Sequence, residues 1–500
     1  MDKKSGRMDL RRRSRSERTT LVDMKKQKRG LSQIVFIIYL FVIVFLGLFA
    51  YLIYFQVKRA PDLKADYRNP QLVAKEERVT PGRIYAADGV TILATNGEGE
   101  NRRTRIYPLG PLFAHPIGYS ARGRTGLEQA FYKDLLTTEE DERSFIDRVR
   151  RKDEPDLENG NSVVSTLDVG LQQACFDAMG SRRGAIVLME PDSGKVRAMV
   201  SRPAFNPNEL DTEWDKLATD EAGSPLLNRA TQGLYPPGST FKILTALEYM
   251  RENPNYMSFG YQCNGVYSNH GIDISCAYGR AHGYVDLRGA IAQSCNGAFS
   301  EIGLSLDIPK WRSFLEEFGL NGSLPMSGLA YEQSRFSLQD KASYGEVMHT
   351  AFGQGNTLMT PMQNCFIAAT IANGGVMMQA QFVDHIVNST GNQVRGFAPV
   401  EHKRVLTTDE AKTMTDMMAA TVTEGIASPL GGRGYTVACK TGTAQYNENR
   451  NTHNLLIGFA PAENPKIAFS IILEGYEGQP EVDTDLMTVA QRILDTYFSR

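Results

Sequence analysis

The chain reads as an α+β protein, an antiparallel sheet flanked by helices, preceded by a β-rich pedestal domain and one transmembrane helix. Three observations predict this. Apolar runs of strand length, GAIVLME with KVRAMVS and, near the end, YTVACKTGTAQ with KIAFSIILEG, bracket a long stretch of helical pattern. Residues 56–160 are rich in Arg, Asp, Glu, Gly and Pro, with short alternating runs such as GRIYAADGVTILATN. Ile34 to Phe55 is twenty-two residues without a charge, long enough to span a bilayer. At 500 residues, 42% hydrophobic and 22% charged, the chain has material for two or three domains.

The elements follow in order. Residues 1–30 hold twelve Lys/Arg against four acids, a net of +8 in a chain whose formal total is −2, so residues 31–500 carry −10. A basic run can bind nucleic acid, but set against a spanning helix it is a topology signal, and no nucleic-acid partner is expected. The bias predicts a cytoplasmic tail over 1–33, a single crossing of the cytoplasmic membrane over 34–55, and an extracytoplasmic remainder. The apolar core is longer than a signal peptide's and continues through Tyr51 and Tyr54 into Gln56-Val57-Lys58 without a small-residue cleavage site, so it is expected to stay as an anchor.

The pedestal, 56–160, closes with the charged stretch ERSFIDRVRRKDEPDLENGN, and the second domain runs from 161 to 500. There GAIVLME and KVRAMVS are joined by a Pro191-Asp192-Ser193-Gly194 turn into a predicted β-hairpin. Thr407 and Glu410 form a capping box that opens a helix. No internal repeat or low-complexity tract is present.

Between the strands lies PPGSTFKILTALEYM, a helix started by two prolines and a glycine. Phe241, Ile243, Leu244, Ala246, Leu247 and Met250 leave no wide polar face, which predicts a buried helix with Lys242 inside it. A buried lysine is expensive unless it has a job. Ser239, three residues earlier, shares its helix face. A serine hydroxyl becomes a nucleophile when a base takes its proton, and a lysine does so only when neutral. Bringing its pKa from about 10.4 to near 7 requires about 4 kcal/mol of desolvation or like-charge repulsion. The helix N-terminus also supplies free N–H groups to a developing oxyanion.

S-x-x-K alone is common by chance, but here it belongs to an ordered set: Ser294-Cys295-Asn296 follows 55 residues on and Lys440-Thr441-Gly442 another 146 on. This set resembles the signature of the penicillin-recognising serine enzymes. NRATQGLYPPGSTFKI, HGYVDLRGAIAQSCNGAFSEIG, AFGQGNTLMTPMQNCFIAATIANGG and KTGTAQ…HNLLIGFAPAENP are similar to a class B penicillin-binding protein. RIYPLG, FAHPIGY and GLEQAFYKDLL extend the likeness into the pedestal. One departure stands out: PGRIYAADG puts Ala86 and Ala87 where such proteins carry polar residues, which puts any salt bridge made there in doubt.

The resemblance implies a serine β-lactamase/D,D-peptidase-like fold and a peptidoglycan D,D-transpeptidase inhibited by covalent β-lactam binding. It makes Ser239 the nucleophile on the penultimate D-alanine of a stem peptide and Lys242 its base. Ser294 relays the proton, Asn296 holds the substrate amide and Lys242, and Lys440 supplies positive potential. Thr441 and Thr443, beside Gly442, bind the terminal carboxylate, with the N–H groups of Ser239 and Thr443 as oxyanion hole. The chemistry needs no cofactor. Nothing between Lys58 and Gly160 resembles a glycosyltransferase, so the implied partner is a polytopic glycosyltransferase of the shape, elongation, division and sporulation family. Roles in cell shape, division and sporulation are all compatible with these motifs. A D,D-carboxypeptidase on the same fold stays open, since water can resolve the same ester. A secreted β-lactamase needs neither anchor nor pedestal, and a membrane-anchored β-lactam sensor would carry more membrane segments and a metalloprotease motif.

Of six cysteines, Cys175, Cys365 and Cys439 sit in apolar patterns and are expected to be buried. The other three fall within 33 residues together with a histidine: Cys263, Cys276, His282 and Cys295. Three thiolates and an imidazole make a closed structural zinc site. Some elongation-type relatives have a metal site near the same motif. A Cys263–Cys276 disulfide, and three inert thiols, are the competing readings. If Ser294 and Asn296 face the cleft, Cys295 turns away from it.

Overall fold

The computed structural model describes residues 5–59, 69–99, 104–139, 158–445, 452–475 and 483–500. Most of the charged stretch predicted to close the pedestal lies outside them. The chain divides into two compact units, 1–69 and 70–500.

In the first unit the tail and the apolar span form one helix, α1 (Ser5–Tyr54), ending in a π-helical turn over Phe55–Arg59. Ser32–Arg59 is long and apolar enough to cross a membrane, with a mean hydropathy of 2.9. Its large apolar side chains, Phe36, Phe41 and Phe45 among them, are exposed, as lipid-facing residues are.

In the second unit five antiparallel strands form the central sheet: β1 (Gly184–Met189), β2 (Val196–Arg202), β3 (Ala438–Gln445), β4 (Thr452–Ala460) and β5 (Ile467–Leu473), in the order β3-β4-β5-β1-β2. The predicted hairpin is β1–β2, with Ile186 opposite Val200. Every residue of β1 and β5 is buried, because helices cover both faces. Alternate residues serve opposite cores. Ile186 and Leu188 join a cluster with Leu171, Cys175, Leu486 and Ile493 of helices Val169–Met179 and Asp483–Phe498. Ala185, Val187 and Met189 join the larger core on the other side.

The helices between the two arms of the sheet include α2 (Lys242–Glu252), α3 (Leu287–Ala292), α4 (Asn296–Ser305), α5 (Pro361–Ala372) and α6 (Thr408–Thr423). α5 is buried on every side from Pro361 to Ile371, with Met362, Cys365, Phe366 and Ile367 in the larger core. The predicted capping box starts α6: Thr407 Oγ1 accepts from Glu410 N at 3.2 Å and Glu410 Oε2 accepts from Thr407 N at 2.7 Å.

A six-stranded sheet runs in the order Gln393–Gly396, Val383–Val387, Ser162–Ser165, Ile84–Tyr85, Ile92–Asn96, Arg105–Ile106. It crosses the boundary expected at 160/161, since Ile84 pairs with Val163. Ala86 is fully buried beside this sheet. The ion pair there comes instead from Arg105, whose Nε is 2.6 Å from Glu128 Oε1 with both side chains buried, and whose Nη1 donates to the Gly82 carbonyl at 2.8 Å.

Candidate active site

Ser239 sits in a 3₁₀ turn, Gly238–Phe241, that runs directly into α2. The side chains of Phe241, Ile243, Leu244, Ala246 and Leu247 are all buried, so α2 is the core helix its composition predicts, and Lys242 is fully buried within it. Glycines let the turn be gripped from two sides. A side chain on Gly353 would bring its Cβ within 1.8 Å of the Gly238 carbonyl oxygen, and one on Gly442 would meet the Pro237 carbonyl oxygen and Thr240 Cγ2 at 3.0 Å. The Gly238 N–H donates to the Gly353 carbonyl at 2.9 Å.

Four oxygens surround Lys242 Nζ: Ser239 Oγ at 3.0 Å, the Ser294 carbonyl at 2.7 Å, Ser294 Oγ at 3.1 Å and Asn296 Oδ1 at 2.7 Å. Ser294 has a φ of 57°, in the left-handed region, and ends the turn after α3. A non-glycine residue held there is strained, and such strain is characteristic of working sites. It aims Ser294 Oγ between two amines, because Lys440 Nζ lies 2.9 Å away on its other side. Asn296 is fixed in turn by donating Nδ2 to the Ser275 carbonyl at 2.9 Å. Thr441 is half-buried, Gly442 buried and Thr443 exposed along β3, the alternation a strand imposes.

Burial pushes the Lys242 amine down to about 7. Lys440, also fully buried, is held well below its ordinary range, first by burial and then by the neighbouring Lys242. Of the two causes expected for a neutral Lys242, desolvation is the larger, and the repulsion between the two amines falls on Lys440. The predicted residues Ser239, Lys242, Ser294, Asn296, Lys440, Thr441, Gly442 and Thr443 thus come together in one cleft. Gly353, and Gln354, whose Nε2 donates to the Thr443 carbonyl at 3.3 Å, were not singled out by the sequence reading. Both lie in the quoted stretch AFGQG, where glycines on either side of a glutamine signal a close backbone approach.

Cys295, the N-cap of α4, points away from Lys242 toward Cys276, and its Sγ accepts from Ala298 N. The strand Gly260–Cys263 pairs with Gly283–Asp286 and Val266–Asn269 pairs with Ile272–Ser275, which bring the four distant ligand candidates together. Their ligand atoms all lie within 4.8 Å of one another. Cys263 Sγ is 3.7 Å from Cys276 Sγ and 3.3 Å from His282 Nδ1, and Cys276 Sγ is 3.8 Å from Cys295 Sγ. A tetrahedron with metal–sulfur bonds of about 2.3 Å has sulfur–sulfur edges of about 3.8 Å, so the arrangement fits zinc. The competing Cys263–Cys276 disulfide is not formed: the sulfurs stand 3.7 Å apart, where a bond needs about 2.05 Å. Cys175, Cys365 and Cys439 are buried small hydrophobes, as expected.

Known proteins resemble most of this chain. Residues 184–495 match the family described as penicillin binding protein transpeptidase domain. The peptidoglycan D,D-transpeptidase PbpA of Mycolicibacterium smegmatis is 34% identical over 447 residues, covering 84% of this chain and 89% of that protein. The peptidoglycan D,D-transpeptidase MrdA of Acinetobacter baumannii is 31% identical, covering 75% of this chain and 64% of that one. Penicillin-binding protein A from M. tuberculosis, solved as an imipenem acyl-enzyme complex, superimposes with a TM-score of 0.75 at 28% identity, over 85% of this chain and all of that one. The order of motifs, the sheet and the likeness to these proteins agree, and the chain belongs to the penicillin-binding protein transpeptidase family as a class B member.

Proposed function

We propose that this protein is a peptidoglycan D,D-transpeptidase with Ser239 as nucleophile and Lys242 as base. One observation carries the reading: a fully buried amine, brought down to about 7, lies 3.0 Å from a serine hydroxyl at the start of a helix. Neutral Lys242 takes the hydroxyl proton as Ser239 Oγ adds to the carbonyl carbon of the penultimate D-alanine. The N–H groups of Ser239 and Thr443 hold the oxyanion. Ser294 passes the proton from Lys242 to the leaving nitrogen, the C–N bond breaks, and D-alanine departs, leaving an ester. Lys440, Thr441 and Thr443 receive the terminal carboxylate, which restores to Lys440 the charge that burial disfavours. Asn296 holds the donor amide. An acceptor amine then adds to the ester and loses its proton to Lys242, the bond to Ser239 Oγ breaks as Lys242 returns that proton to the leaving oxygen, and the cross-link is made with Ser239 and neutral Lys242 regenerated. A β-lactam enters as the same acyl donor and leaves a slowly resolved ester. Incubating the protein with a stem peptide and an acceptor amine should yield the cross-linked dimer. Free D-alanine without dimer would make it a D,D-carboxypeptidase.

A second reading is structural zinc on Cys263, Cys276, His282 and Cys295, supported by sulfur–sulfur distances of 3.7 and 3.8 Å. A hydrogen bond from Cys295 and the N–H groups of Gly297 and Asn296 draw the Cys276 thiol down toward the thiolate that a metal requires. The zinc takes no part in the acyl transfer; it would fix the loop that carries Ser294 and Asn296. Purified protein should hold about one metal per chain. Metal-free, fully active protein would overturn the reading.

The domain plan extends this function. Residues 34–55 anchor the chain in the cytoplasmic membrane, with 1–33 inside, 56–160 as pedestal and 161–500 as transpeptidase domain outside, working beside a polytopic glycosyltransferase. Replacing Ile34–Phe55 with an unrelated spanning helix should impair growth and leave penicillin labelling intact.

A further inference from the structure

The transfer proposed above needs two substrates, and the residues assigned so far hold only the donor. We infer that the cavity running along α3 is the acceptor subsite, taking an amine-bearing peptide through its free carboxylate; this rests on the transpeptidase reading. The cavity has a volume of ≈ 450 Å³, within the span of about 300–1,000 Å³ typical of small-ligand sites. One wall is a single face of α3 and its flanks, Asp286, Gly289 and Gln293, at the spacing of one helix side. The facing wall is the segment from Arg280 to Tyr284.

Two features link this cavity to the second half-reaction. The first is position. Gln293 directly precedes Ser294, whose hydroxyl lies between the two lysine amines, so one end of the cavity is one residue from the proton relay. An extended peptide lying along α3 with its amine at that end would arrive where the acyl-enzyme must be attacked. The second is chemistry. Arg280 is exposed, and its guanidinium makes no hydrogen bond or ion pair among the described residues. A guanidinium fork on a cavity wall matches a carboxylate in shape and charge. Asp286 uses one oxygen to accept from Gly289 N at 2.7 Å. Its other oxygen and Gln293 offer acceptors to peptide N–H groups, while Tyr284, 71% exposed, offers an apolar ring to methylene groups.

Two probe acceptors test this: Nα-acetyl-lysine and its carboxamide, which carry the same ε-amine and differ only in a remote carboxylate. The full-length protein, acylated by a donor substrate, should transfer to the acid with a KM about fivefold below that for the amide. Arg280→Ala should abolish the difference, and Arg280→Glu should reverse it. Penicillin acylation rates should be unchanged in both, because Arg280 contacts no donor residue. Discrimination that survives in Arg280→Ala, or a parallel fall in acylation and transfer, would overturn the subsite. Transfer to both amines without discrimination in the wild type would overturn it while leaving the transpeptidase reading standing. Hydrolysis alone, with no transfer to either, would overturn both.

Discussion

The catalytic cleft and the Cys/His cluster share one stretch, Ser294-Cys295-Asn296, and are built on opposite principles. The cleft gathers residues from positions 239 to 443 and sets them with the large apolar core, so that Lys242 and Lys440 are fully buried by elements that would pack the same way without them. The cluster draws on 263 to 295 only; its cysteines touch the rim of the same core, but the two pairs of four-residue strands that hold it are mostly exposed or half-buried. Four-residue strand pairs are marginal by themselves. Substitutions in the cleft should therefore change chemistry before stability, and substitutions in the cluster stability before chemistry.

The sharpest test of that contrast is Ser239→Ala. Penicillin labelling, read by intact mass, should vanish while metal content and melting temperature stay put; a labelled variant would remove Ser239 as nucleophile.

Lys242→Met comes next, with acylation expected to fall by about 10²- to 10⁴-fold, the usual worth of a general base. In the wild type, acylation should rise with pH through about 7, where Lys242 loses its proton, and fall about tenfold per unit below it. The folded-state value lies below the ordinary 10.5, so between those two values the unfolded chain binds more protons. Burying this lysine therefore destabilises the fold at the low-pH end of that window, by about 4 kcal/mol, and the effect disappears as pH rises through it. The melting temperature of the wild type should accordingly gain on that of Lys242→Met as pH climbs. A flat pH–acylation profile would contradict a neutral-lysine base.

Removing the proposed zinc with a chelator, or Cys295→Ser, should act in the reverse order: a lower melting temperature first, and acylation slowed by about tenfold through the Ser294–Asn296 loop. Cys175→Ser, in the apolar layer beneath the sheet, should leave acylation alone. If Cys295→Ser changed acylation with no loss of metal or stability, the cluster would not be organised by its own ligands.

The smallest effect on chemistry belongs to Arg105→Ala. It leaves Glu128, on the helix Gly126–Ala130, buried without its partner and should cost about 3–5 kcal/mol of stability, with penicillin acylation by the folded fraction unchanged.

Much of the cleft could be read in advance because its chemistry needs particular residue types at particular chain positions. A helix apolar on all sides with one lysine declares a buried amine, and a serine three residues earlier declares what that amine faces. The capping box at Thr407 and Glu410 and the hairpin over GAIVLME and KVRAMVS were legible for the same reason, being local. Arg105 was not: it lies 23 residues from Glu128 with no motif between them, and only the packing of the helix Gly126–Ala130 against the strand Arg105–Ile106 brings the two together. The sheet across position 160 was equally hidden, since Ile84 and Val163 each make short strands that propensity alone leaves unpaired.

The amino-acid order by itself determined which groups are present and which are near neighbours: the Ser239–Lys242 face, the opposed sides of Ser294 and Cys295, the charge step across Ile34–Phe55, and four metal-type ligands within 33 residues. Only the tertiary structure decided what those groups become. It brought Lys440 to 2.9 Å from Ser294 Oγ, across 146 residues, and so divided the charge between two lysines. It held Ser294 in the left-handed region, pressed Gly353 against Gly238, and set three sulfurs at separations that suit the corners of a tetrahedron rather than at bonding distance. The physical reason is common to all of these. Protonation, strain and coordination depend on distances of a few ångströms between segments far apart in sequence, and those distances are fixed by how the sheet and its helices close the core.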